Sequence, residues 1–193
     1  MEQRFDWHSP SSRLVLSAAL DALADVGYAH LTVAELRSRT GVAGLCIEEA
    51  DLEEIVATAL ERVQVFDLPT PTGDLRADLA GLLRPWLATR RRDEQVIAAV
   101  LSAAEWSPRL KHAVWQVFDR PLAQAVGAIL AGAVPGGQVP AARVHTLNWL
   151  LRGLALDRMR AATPRCPVDL DDLVDHLLAG LDPAPAAGPG PTA

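Results

Sequence analysis

Apolar positions recur at helical spacing from one end of the chain to the other, and no stretch sustains the period-two alternation of a half-buried strand. The chain is therefore expected to be all-α. Val15, Ala19, Ala22, Leu23 and Val26 form the core stripe of a first helix. It begins at Ser9-Pro10, where serine caps and proline presets the first turn, and stops at Gly27. A second helix opens on Thr32 and Glu35, a capping box with Leu31 and Leu36 at the staple positions, and ends at Gly41. The pattern then predicts a short helix over about Ala43 to Glu49. The capping signal Asp51-Leu-Glu-Glu54 predicts a long helix to about Phe66.

Leu68-Pro-Thr-Pro-Thr-Gly73 is a break. Helices are expected after it over 74–91, bent at Pro85, over 94–106, and over 107–134 with a kink at Pro121. The segment 141–162 is apolar nearly all round, which predicts burial on two sides. Leu170, Leu173, Val174, Leu177, Leu178 and Leu181 make a clean stripe on a last helix, with aspartates opposite or at its N-terminus. About nine helices follow from this pattern. Their order suggests a three-helix helix-turn-helix domain over 1–50, a larger helical domain over 51–182 and a disordered Pro/Gly/Ala tail over 183–193.

Charge alters the picture at one place. The net charge is −6, and residues 40–69 alone carry Arg62 against Glu48, Glu49, Asp51, Glu53, Glu54, Glu61 and Asp67, also −6. That stretch contains and follows the helix that would face DNA, whereas a nucleic-acid reader normally shows a basic footprint. At 193 residues the chain is long enough for one sizeable core, or for a small domain joined to a larger one. No apolar run is long enough to span a membrane, and the N-terminus lacks a signal pattern, so a cytoplasmic protein without a membrane partner is expected. Cys46 and Cys166, far apart and without CxxC spacing, read as free thiols rather than a disulfide or a metal site.

Candidate chemistry lies in the larger domain. Trp86, Trp106, Trp115, Phe118 and Trp149 fall there. His112 and Trp115 share a helix face at i, i+3, as do His145 and Trp149 at i, i+4 with Asn148 beside them. Aromatic walls with a few polar groups suit a small hydrophobic or aromatic ligand, though the same residues also read as ordinary core. Glu105, His112 and His145 are the only group suggesting acid–base chemistry, since histidine titrates near neutral pH. Their spacing matches no catalytic triad, no zinc motif and no phosphate loop. No catalytic residue, metal or cofactor is therefore assigned.

The caps and turns resemble those of the tetracycline-repressor (TetR, AcrR-like) family of bacterial transcriptional regulators. Thr32, Leu36, Gly41, Val42 and Ala43 match the family's reader, and Gly27-Tyr28 and the apolar run Ile55 to Leu60 match the segments around it. Leu83-Arg-Pro-Trp86 and the closing Leu-Leu-Ala-Gly180-Leu are similar too. The resemblance implies a homodimer formed through the last two long helices, here Leu147, Leu151, Leu154, Leu170, Leu173, Val174, Leu177 and Leu178. It implies a ligand cavity in the larger domain, and DNA contacts at Thr32, Arg37, Ala43, Gly44 and Cys46.

The reader also departs from the family. It is about two residues short, with Leu45-Cys46 standing for Leu-Tyr, Glu48 for a histidine and Leu52 for a lysine. The missing tyrosine, histidine and lysine are the family's phosphate contacts, and such contacts supply most of the affinity for DNA. Each carboxylate near the groove adds repulsion of about 1 kcal/mol even at the dielectric of water. Specific and non-specific binding differ by only ~4–10 kcal/mol. The expectation is a ligand-responsive regulator with a degenerate, acidic recognition helix whose DNA binding is weakened or lost. The alternatives are a DNA-independent ligand binder or enzyme of specialised metabolism, and an antagonist that pairs with another regulator.

Overall fold

The computed structural model describes residues 7, 9–41, 47–66, 70–87, 91–133, 140–160 and 169–181, and all regular structure among them is helical. The helices are α1 (Pro10–Val26), α2 (Val33–Thr40), α3 (Leu52–Leu60), α4 (Leu75–Leu83), α5 (Arg92–Ala104), α6 (Pro108–Val114), α7 (Arg120–Ala133), α8 (Ala141–Arg160) and α9 (Leu170–Leu181). Both cysteines and the tail over 183–193 lie outside the described residues. No helix among those described is long and apolar enough to cross a membrane.

The first two helices start and stop where the sequence says. Ser9 Oγ accepts the Ser12 N–H at 3.2 Å, and Thr32 Oγ1 accepts the Glu35 N–H at 3.1 Å. The two terminal glycines differ in kind. Gly41 has φ 62 and ψ 9, the left-handed cap that asparagine also tolerates. Gly27 has φ 79 and ψ 168, a region essentially reserved for glycine.

Later boundaries depart from the periodicity for identifiable reasons. The helix expected to reach Glu49 cannot do so, because Glu48 is extended at φ −111 and ψ 162 and Glu49–Asp51 form a 3-10 turn. Asp51 does not cap α3 but reaches back in a capping box, its Oδ2 accepting the Glu48 N–H at 2.8 Å. Helix α3 stops at Leu60 rather than near Phe66. The following strand-like residues Val63, Val65 and Phe66 are buried outside any helix, the Gln64 N–H is taken by Asp93 Oδ2 at 3.0 Å, and Phe66 stacks on Phe118 at 5.3 Å. Pro85 ends α4 early and leaves a 3-10 turn, Arg84–Leu87, instead of a bend. Pro121 neither stops nor breaks its helix. A π-turn over Trp115–Asp119 precedes it, and this wider turn accommodates a ring that crowds the Val117 carbonyl without offering it an N–H.

The chain forms two compact units, Met1–Asp67 with Thr89–Leu122, and Leu68–Ala88 with Ala123–Ala193. Packing thus divides the chain elsewhere than at residue 50, because α5 and α6 belong with the N-terminal helices. In the first unit α1 packs on α2, α3 and α5, and α6 packs on α3 and α5. Leu16, Leu23, Leu36, Ile55, Ile97 and Phe118 are fully buried there, each contributing about 1.5–3 kcal/mol. In the second unit α9 packs on α4 and α8. Arg76 on α4 pairs with Asp175 on α9, and that hydrogen bond holds the Asp175 carboxyl below its ordinary range.

Asp78 organises the entry to α4. It is only 3% exposed and accepts the Thr72 N–H at 2.9 Å, the Thr72 hydroxyl at 2.8 Å and the Gly73 N–H at 3.2 Å. Burial raises its pKa, but the three donors together outweigh burial and leave it lowered. A lowered carboxylate contributes stability above its unfolded pKa and loses it as pH falls through the folded value. Asp78→Ala is therefore expected to cost about 1–3 kcal/mol at neutral pH. In thermal melts against wild type, that difference should shrink below about pH 4. In the same assay Gly27→Asn should cost about 1–3 kcal/mol, and Gly41→Asn clearly less.

Candidate functional site

Helix α2 is the part of the expected reader that the structure describes, capped at Thr32 and stopped in the left-handed turn at Gly41; Ala43, Gly44 and Cys46 lie outside the described residues. The chain is described again at Ile47, which is buried, and its carbonyl accepts from Arg37 Nη2 at 2.9 Å. The first N–H of α2, that of Val33, donates to Glu49 Oε1 at 3.2 Å. A carboxylate at that end also complements the helix dipole.

The acidic stretch is put to structural use. Glu53 Oε1 accepts the Ser107 hydroxyl at 2.8 Å, and Glu54 pairs with Arg109 at 3.1 Å, so both hold α3 against the start of α6. Asp51 is buried in its capping box. Of the arginines near the reader, Arg37 is engaged by Ile47, and Arg39 pairs with Asp25 and with Glu35, each at 2.7 Å. The hydrogen bond from Arg39 keeps the Asp25 carboxyl below its ordinary range. Arg13 is exposed on α1 and has no partner among the described residues. Glu49, Glu53 and Glu54, and Arg37 and Arg39, are thus tied into the unit itself.

The aromatic and polar residues of the candidate cavity are dispersed between the two units. In the first, the His112 and Trp115 rings stack at 6.0 Å, and Phe118 is buried against Phe66. Trp106 is 87% exposed in the turn after α5, beside exposed Glu105. In the second unit His145 is exposed on α8 and Trp149 is 79% exposed, while Asn148 Oδ1 is buried with no hydrogen-bond partner. Trp86 falls within the 3-10 turn Arg84–Leu87. Glu105 and His112 thus belong to one unit and His145 to the other. Among the described residues no group of histidine, cysteine or carboxylate side chains is placed to hold a metal ion.

The residues expected at a dimer face divide by burial. Leu147, Leu151, Val174 and Leu177 are buried within the chain, where α8 and α9 pack together, and Leu154, Leu170, Leu173 and Leu178 are half-buried. The outward apolar residues on α8 are Trp149 and Leu150, the latter 50% exposed. Periodicity could not single out Leu150, because polar residues are scattered around α8 and leave it no single apolar face; the helix is not apolar all round as its leucines suggested.

Residues 69–181, more than half of the chain, match the family model described as tetracyclin repressor-like, C-terminal domain. Comparison with curated proteins and with solved structures gives no match.

Because Glu49 supplies the acceptor for the first turn of α2, Glu49→Ala is expected to lower stability by about 0.5–2 kcal/mol, the usual range for losing a capping side chain. Glu35→Ala, which removes only a partly exposed ion pair, should cost less. Urea denaturation of the two variants checks the order.

Proposed function

The chain belongs to the tetracyclin repressor-like family, and from that premise we propose that it is a homodimeric, small-molecule-responsive regulator of the cytoplasm whose hold on DNA is weakened or lost. The observation that carries the reading is the engagement of the reader's arginines. Arg37 already donates to a buried carbonyl, and Arg39 already bridges two carboxylates. An arginine that must abandon such partners to meet a phosphate exchanges one charge-assisted contact for another, which offsets the gain from released counterions. Cys46, Glu48 and Leu52 stand where the family's tyrosine, histidine and lysine would compensate. The same observation favours, as a second reading, a scaffold that binds its ligand with DNA irrelevant.

Two features of the second unit support the rest of the proposal. Trp149 and Leu150 stand exposed on a helix whose other side is packed on α9, and an apolar pair of that size suits a second copy of the chain. The buried Asn148 Oδ1 lacks a donor, and an orphaned acceptor costs about 1–3 kcal/mol until something supplies one. A ligand donor at Asn148 meets that need.

Titration of the protein against its own upstream DNA is expected to give binding at low salt that disappears at physiological salt, or none at all. A tight, sequence-selective complex at physiological salt would overturn the weakened-reader proposal. Trp149→Arg with Leu150→Glu should convert a dimer into a monomer in light scattering behind size exclusion, with helicity by circular dichroism unchanged. An unaltered dimer places the interface elsewhere.

A further inference from the structure

A cleft of about 540 Å³ lies between α3 and α6, wholly within the first unit. Its polar walls are Glu54 and Glu61 on one side and Arg109, His112 and Gln116 on the other. Ala57, Ala113 and Val117 give it an apolar floor. The volume falls within the range usual for small-molecule sites.

The charges of the lining do not balance. Glu54 is met by Arg109 at 3.1 Å. Gln116 is held between two neighbours, its Oε1 accepting from Arg120 Nη1 at 2.8 Å and its Nε2 facing His112 Nε2 at 3.2 Å. Arginine can only donate, so the amide oxygen must face Arg120 and the amide N–H must face the histidine. His112 Nε2 is then the acceptor in that bond. The exposed Glu61 carboxylate makes no hydrogen bond or ion pair among the described residues. The residue caps the C-terminal end of α3, seven positions after Glu54, and lines the cleft with it. The cleft thus presents one uncompensated carboxylate beside an apolar floor.

We propose that this cleft binds a small organic amine bearing an aromatic or branched apolar group, with the ammonium on Glu61 and the apolar body over Ala57, Ala113 and Val117. The site is separate from the one proposed at Asn148, and either can fail without the other.

Isothermal titration at neutral pH with phenethylamine, 3-phenylpropionate and 2-phenylethanol tests it, because the three differ mainly in charge. Phenethylamine is expected to bind once per chain and to raise the melting temperature, with the acid and the alcohol at least about tenfold weaker. Glu61→Gln should weaken the amine by about tenfold or more, and Val117→Trp, which fills the floor, should weaken it as well. Asn148→Ala should leave amine binding unchanged. Equal binding of amine and alcohol, full affinity in Glu61→Gln, or no uptake of phenethylamine at about 10 mM would each overturn the proposal.

Discussion

Two hydrogen bonds tie α2 to Ile47 and Glu49, the residues just before α3, and much of the first unit follows from them. The chain leaves α2 in a left-handed turn at Gly41 and is extended again by Glu48. Arg37, from the middle of α2, holds the Ile47 carbonyl, and Glu49 holds the N–H that opens α2. Ile47 and Glu49 are thereby tied back along α2. With Ile47 buried and Asp51 locked in its own capping box, α3 has a fixed starting point. One consequence is that the Arg37 side chain is already engaged within the unit.

The same economy governs the acidic stretch. A hydrogen bond from an N–H or a hydroxyl fixes a carboxylate without cancelling its charge, and only an ion pair neutralises it. Glu49 and Glu53 are fixed in the first way and Glu54 in the second, by Arg109. The local excess of negative charge therefore persists, at defined positions rather than as a mobile cloud. It continues to act over about a Debye length, roughly 8–10 Å at physiological ionic strength. Glu61, beside the α3/α6 cleft, is left without such a partner among the described residues.

Helix α8 shows how one amphipathic surface serves two demands. Leu147, Leu151, Ala155 and Met159, spaced four apart, are buried within the chain. Trp149 and Leu150 point the other way and stay exposed. With Arg143, Asn148, Arg152, Asp157 and Arg158 spread around it, α8 has no single apolar face from which its packed side can be read. Leu147 and Leu151 thus belong to the chain's own core even though a family resemblance names them as dimer residues.

The short-range grammar was legible without coordinates. Ser9, Thr32, Gly27 and Gly41 bound their helices as written, because caps and left-handed stops depend on a few neighbouring atoms. The stripe on α9 is equally local. What needed the tertiary structure was every feature in which distant residues compete for one group. Asp51 could cap α3 or reach back to Glu48. Phe66 could extend α3 or leave it to stack on Phe118, and Glu54 could face solvent or Arg109. The sequence by itself determined an all-α chain, the bounds of its first two helices and an excess of carboxylates over residues 40–69. Only the fold decided which of those charges are held and which stand open, because a hydrogen bond between residues tens of positions apart leaves no period in the sequence.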